Sequence, residues 1–461
     1  MRVILFFFFL KLCFQYLIFP FKRDLSYPSK HYFTITLSLG NQTLTVQLDT
    51  SSANTWVPSS KCGSCKSKNI TLYDPSSSST SSKTESIITL YDEDGIVSGY
   101  ESYDNLLLSS SFSINNFGFV QVTEYGKEFS DFPSGKIGLG YRGWVNNKFN
   151  IINHLASRSL IVHREFSIEF NNDTNGNIIF DDYLAARSPY VCNVTSYENI
   201  NILYRQSWIC SLSHIIISEL DPDFIERINI KSRVMFDSAY EYISIPYKYY
   251  YTIKEELFDK FVSYACVIET QNNSRMEEVY HVCENSKMDI KKANFTLIIQ
   301  GYAYTVELNN LFKKINDTHC ESLLRFAKEI SITDEKESKI PIDIKIEKIL
   351  EDAEEDEDIN VWIIGFPIMK NYLMRFDYDN SQRGFAPTSR GSIINMTTEW
   401  NKWNNEQITN QTVTRRKHYM HLLYGCAFIL ALVLICIIAY ICIKKRRSKD
   451  DEIRPLVKNG V

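Results

Sequence analysis

The sequence has no surplus of charge of one sign: 50 Lys and Arg stand against 55 Asp and Glu, a net charge of −5 over 461 residues. Such a balance offers no basic face for nucleic acid, and no nucleic-acid partner is expected. No second Cys-x-x-Cys matches Cys62 and Cys65, and no histidine cluster lies near them. Zinc or redox chemistry is therefore not the reading: neither metal nor cofactor is expected, and the two cysteines are read as a small loop staple. Alanine is sparse, whereas Tyr and Phe number 28 each beside abundant Ile, Thr and Ser. That composition favours strands over helices. The length leaves room for two domains with sizeable cores or one bilobal unit.

Both ends are apolar. Residues 1–20 carry one early Arg and then a Leu/Phe/Ile-rich run broken by Lys11, the pattern of a signal peptide, although no small-residue cleavage site follows. Leu422 to Ile443 is 22 residues without a charge, long enough to cross a bilayer. Lys444, Lys445, Arg446 and Arg447 follow at once, as expected on a cytosolic face. The tail beyond them excludes a lipid-anchor signal, whose apolar stretch would end the chain. The expectation is a single-pass type I membrane protein of the secretory or endolysosomal system or the cell surface. Its stalk would span 391–420, its transmembrane helix 421–443 and its cytoplasmic tail 444–461. Asp451 to Val457 is similar to an acidic dileucine sorting signal. Seven of the 11 cysteines lie between the apolar ends, where an oxidising lumen would turn most into disulfides. Nine N-x-S/T sequons, at Asn41, Asn69, Asn172, Asn193, Asn272, Asn294, Asn316, Asn395 and Asn410, all fall on the same side of the span.

In the interior, residues 31–60 alternate apolar and polar over two runs separated by Gly40-Asn41, which predicts a hairpin. The second run passes through Leu44, Val46 and Leu48 into Asp49-Thr50-Ser51. An acid leaving the end of an apolar strand is unusual, because burying a lone carboxylate is costly. The arrangement recurs in 232–246, where an apolar strand runs into Asp237-Ser238-Ala239 and leaves through apolar residues to Pro246. Two strand-ending acids 188 positions apart, each followed by a hydroxyl residue and a small one, predict two related lobes.

Further segments stand in order around them. Trp56-Val57-Pro58 follows the first acid, and residues 89–106 form a candidate hairpin with Asp94-Gly95 suited to its turn. Gly135 to Gly140 reads GKIGLG, and 361–387 opens with Val-Trp-Ile-Ile-Gly. Taken together over about residues 31–390, this series resembles the pepsin-like aspartic protease family. The resemblance implies an all-β, bilobal fold with an N-terminal lobe over 24–185 and a C-terminal lobe over 186–390, joined here to one C-terminal transmembrane helix. It implies a monomeric endopeptidase acting on polypeptides between bulky apolar residues, at acidic pH. Asp49 and Asp237 would be the paired catalytic carboxylates, one ionised as base towards water and the other protonated. Thr50 and Ser238 would cross-link the loops, Ser52 would bond the outer oxygen of Asp49, and Tyr91 would be the flap tyrosine. Cys283 and Cys320 resemble the family's C-lobe disulfide. Cys192 with Cys210 makes a second pair, with Cys266 left over.

The sequence also departs from the family pattern. Glycine is expected third in each loop, yet Ser51 and Ala239 stand there, and a side chain at that point crowds the approach of water and substrate. Tyr240 and Glu241 follow where a small hydroxyl residue is usual, and Glu241 brings a further acid close to the pair. The alternative is a catalytically impaired homologue that binds peptides or a protein partner in the same cleft. Residues 21–30 are too few for the family's inhibitory propeptide, and Lys22-Arg23 is a candidate processing site. The acidic run 351–358 reads as a solvated insertion.

Overall fold

A computed structural model describes residues 17–24, 32–65, 70–92, 95–109, 112–125, 134–141, 148–181, 190–193, 207–219, 225–261, 266–272, 276–284, 293–329, 361–387 and 393–395. The expected transmembrane helix, the tail and the acidic run 351–358 lie outside these residues. No helix among the described residues is long and apolar enough to cross a membrane. A short strand, Ile393–Asn395, stands within the stretch expected to be a stalk.

The hairpin forms as its sequence dictates. Strands Tyr32–Leu39 and Gln42–Asp49 pair antiparallel from Leu39–Gln42 to Thr34–Gln47. Gly40 and Asn41 join them at φ 56° and 65°, the left-handed pair of a two-residue turn that matches strand twist. Leu44, Val46 and Leu48 are buried on one side. Alternation then stops, because Gln47 and Asp49 are buried too. The strand enters the molecule with both faces covered, and its end is where the first acid sits.

This strand belongs to a 13-stranded sheet, and most of the later chain forms a 12-stranded one. The lobes are not separate in sequence. Strands Tyr372–Asp377 and Gln382–Pro387, near the end of the described chain, return to the first sheet beside Glu165–Phe170. So does Leu17–Asp24, which pairs with both Asn175–Phe180 and Tyr32–Leu39. That strand starts inside the segment read as signal peptide, and it contains Lys22-Arg23 as hydrogen-bonded backbone. Its Phe21 meets Phe33 and Phe170 at 5.4 Å each, and Phe33 and Phe170 in turn meet Phe366 of the later chain at 5.1 and 5.4 Å. Aromatic contacts of this kind are each worth about 1 kcal/mol beyond the area they bury. They tie the start of the chain to the segment just after Gly365.

The cysteines pair differently from the resemblance. Cys62–Cys65 is a disulfide, as expected, but Cys283 is bonded to Cys266, and Cys320 remains a buried thiol. Strand register explains how this arises: Cys283 lies opposite Cys266 on one neighbouring strand and opposite Cys320 on the other. Only one of the two can close. Cys210 is disulfide-bonded; the side chain of Cys192, its expected partner, lies outside the described residues.

Candidate active site

Each acid ends a strand that is braced by a parallel strand carrying an apolar-Gly segment. Gln42–Asp49 pairs with Lys136–Gly138, Asp49 facing Gly138, and the Leu139 N–H donates to the Asp49 carbonyl at 2.8 Å. Ile225–Phe236 pairs with Val361–Ile364, Phe236 facing Ile364, and the Asp237 N–H donates to the Ile364 carbonyl at 2.9 Å. The glycine at the end of each brace is required by close approach. A Cβ at Gly138 would lie 2.4 Å from the Ala53 and Asn54 backbone, and one at Gly365 would lie 2.1 Å from the Tyr240 carbonyl.

The two loops bind each other reciprocally. The Thr50 hydroxyl donates to the Phe236 carbonyl at 2.8 Å and accepts from the Ser238 N–H at 3.0 Å. The Ser238 hydroxyl donates to the Leu48 carbonyl at 2.8 Å and accepts from the Thr50 N–H at 3.2 Å. Each hydroxyl thus reaches the residue just before the opposite acid, so Asp49 and Asp237 come together at one seam, both fully buried. Thr50 and Ser238 thus link the two loops.

Around Asp49, Oδ1 accepts from the Ser51 N–H (2.7 Å), the Ser51 hydroxyl (2.6 Å) and the Ser52 N–H (3.1 Å). Ser52 therefore acts through its backbone, on the inner oxygen. The expected bond from its hydroxyl to the outer oxygen is not the one formed; that hydroxyl accepts from the Asn54 N–H at 3.4 Å instead. Oδ2 faces a group the sequence reading did not single out, the ammonium of Lys136 at 3.1 Å. The contact is an ion pair rather than an aligned hydrogen bond, and Lys136 is 1% exposed. A lysine inside an otherwise apolar brace, GKIGLG, was the signal available.

The side chains replacing glycine are accommodated. Neither Ser51 nor Ala239 has positive φ, so neither position demands glycine for its backbone conformation. Ser51 turns its hydroxyl onto Asp49, and the Ala239 N–H donates to Asp237 Oδ1 at 2.7 Å. Tyr240 points away, its hydroxyl donating to Glu278 at 2.5 Å, and burial together with that carboxylate pushes the phenol well up from its ordinary value. Glu241 does not act as a loose third acid: Arg23 at 2.5 Å and Lys313 at 2.9 Å hold it. Behind the first loop, the Ser207 hydroxyl donates to the Ser51 carbonyl and the Trp208 indole N–H to the Leu139 carbonyl, both at 2.9 Å. Tyr378 sets its hydroxyl 2.9 and 2.8 Å from the carbonyls of Leu139 and Gly140. These partners lie between 69 and 239 positions away in the chain, so no local pattern announces them.

The candidate flap is a hairpin of Ser82–Asp92 and Gly95–Ser109, with Tyr91 opposite Ile96 and Asp92 opposite Gly95. The side chain of Tyr91 and residues 93–94 lie outside the described residues.

The family model for eukaryotic aspartyl protease matches residues 30–388, and the chain belongs to that family. Its relatives are distant. Plasmepsin I of Plasmodium falciparum is 24% identical over 349 residues, 73% of this chain and 64% of that protein. Embryonic pepsinogen of Gallus gallus is 24% identical over 192 residues, 41% of this chain and 49% of that protein. Renin of Rattus norvegicus is 28% identical over 152 residues, 32% and 37% of the two chains. The chain thus spans less than two thirds of the length of each of these relatives.

Proposed function

We propose that the chain is an aspartic-type endopeptidase that hydrolyses peptide bonds of polypeptide substrates, at acidic pH, through a water activated between Asp49 and Asp237. The carrying observation is the reciprocal Thr50–Ser238 cross-link, which joins the loops of two strand-ending acids from the two sheets. Two carboxylates held side by side share one proton readily and two negative charges poorly. The ionised member takes a proton from water as it attacks, while the protonated member polarises the scissile carbonyl. Ser51 and Ser52 orient Asp49, and the Ala239 N–H orients Asp237. The flap hairpin would close over the substrate and exclude water.

The test is full-length chain in detergent with an unfolded protein as substrate across pH 3–7. Cleavage is expected, blocked by a pepstatin-type inhibitor and abolished by Asp49→Asn and by Asp237→Asn. A folded chain that binds the inhibitor but cleaves nothing would make it a binding homologue instead. We further propose that 421–443 anchors the chain in a membrane with the folded part luminal. Glycosidase-sensitive mass and protection of that part from protease in sealed microsomes are the expected results.

A further inference from the structure

The two loops share one plan, and a single pair of side chains breaks it. Residues two positions before each acid lie opposite residues two positions before each bracing glycine: Gln47 faces Lys136 in the first half, and Met235 faces Ile363 in the second. Residues i and i+2 of a strand share a face. Gln47, Asp49 and Lys136 therefore lie on one face, as do Met235, Asp237 and Ile363. The second half fills these places with two apolar side chains, 1% and 2% exposed, and the first with an amide and an ammonium, each 1% exposed. The related brace closes around isoleucine, so the sheet does not need a cation there to form. Burying an ammonium is costly unless it is paired, and here its pair is the outer oxygen of Asp49.

We propose that Lys136 is a positioning residue for the reaction proposed above, and the inference rests on that reading. Three donors hold Oδ1 of Asp49, and the ammonium holds Oδ2. With both oxygens engaged, the carboxylate cannot turn about its bond to the strand, and its negative charge is balanced on the side away from its N–H donors. Lys136 thereby does what the hydroxyl of Ser52 was expected to do, with a full charge in place of a dipole.

The experiment uses the full-length chain and a quenched fluorescent peptide built on the first bond it cuts in an unfolded protein. Lys136→Met is expected to lower kcat by about 100-fold, the scale for removing one preorganised charge-stabilising group, with KM within about twofold. Lys136→Ala is expected to behave alike and to recover about tenfold in ethylammonium, but not in an equal concentration of ethanol, since only a cation restores the pair. Thermal unfolding supplies a readout independent of turnover. Lys136→Met should lower the midpoint by stranding a buried carboxylate, and adding Asp49→Asn should return most of the loss. If wild type is active and Lys136→Met matches or exceeds its kcat, the positioning role is wrong and the peptidase reading stands. If wild type cleaves nothing, the peptidase reading fails; a gain of cleavage in Lys136→Met would then show the amine restraining the site. Additive midpoints in the double variant would overturn the pair itself.

Discussion

The loop of Asp49 and the loop of Asp237 sit on matching strands, braces and glycines, yet their surroundings diverge. Around Asp49 the neighbours are polar and address the carboxylate directly: the Ser51 hydroxyl, the Ser51 and Ser52 N–H groups and Lys136. Around Asp237 the Ala239 N–H donates to the carboxylate, and larger residues that follow in the chain join a network of their own. Tyr240 bonds Glu278, and Arg325, 1% exposed, lies between the rings of Tyr242 and Tyr280 at 4.1 and 3.4 Å. Burial pushes the Tyr242 phenol up to about 12. The second half thus carries, besides its acid, a buried polar network. A shared backbone plan therefore leaves room for different side chains around it.

The comparison breaks most severely at the cross-link, to which both halves contribute alike. Thr50→Val removes a hydroxyl that donates to the Phe236 carbonyl and accepts from the Ser238 N–H. Two buried backbone groups lose their partner, at a cost of about 4 kcal/mol in urea unfolding. Ser238→Ala is expected to cost about the same by the same count, and a large inequality between the two would show that one loop leans on the other.

A pH test separates the halves next. His281 of the second half is buried against Phe258 with ring centroids 4.0 Å apart, and burial, with Lys254 adding to it, pushes the imidazole down to about 4. Its folded-state value lies below that of the unfolded chain, so the unfolded chain takes up the proton first. Stability from this group is full above about pH 6.5 and falls by about 3 kcal/mol as the pH drops to about 4. Urea midpoints at pH 7 and pH 4.5 should show the loss, and His281→Phe should remove its share.

The disulfide assignment carries a smaller expected effect. Opening Cys266–Cys283, which closes a separation of 17 residues, with Cys266→Ser should cost about 3 kcal/mol or somewhat less. Peptide mapping should find Cys266 joined to Cys283 and Cys320 open to alkylation only after unfolding. A Cys283–Cys320 link in the map would restore the pairing suggested by resemblance. The smallest effect lies at the third loop positions. Ser51→Gly loses a bond to a charged oxygen and should lower kcat about tenfold, whereas Ala239→Gly loses only a methyl and should stay within about twofold. Equal effects would erase the contrast between the loops.

Much of this was legible in the order of residues. The Gly40-Asn41 turn, the strand running into Asp49, its repeat at Asp237 and the bracing glycines all follow from local chemistry. A two-residue turn needs left-handed backbone, and a strand alternates its faces. Gln47 shows where that reasoning stops: alternation marks it as an outward residue, but the end of the strand is covered on both faces, and Gln47 is 1% exposed. Lys136 escaped for the same reason, since a charge in a short apolar segment reads as an exposed position until the strand beside it is known. Cys283 had two in-register neighbours, and sequence spacing does not choose between them.

The sequence by itself determined the β-rich class, the family and the two acids, because turns, strand periods and short motifs are set by groups a few residues apart. Only the tertiary structure decided what each acid touches. Asp49 meets Lys136 across 87 positions, and Thr50 meets Ser238 across 188. Contacts at such separations depend on which strands lie side by side. In a buried site those neighbours govern how the charge is held, because screening by bulk solvent is weak there.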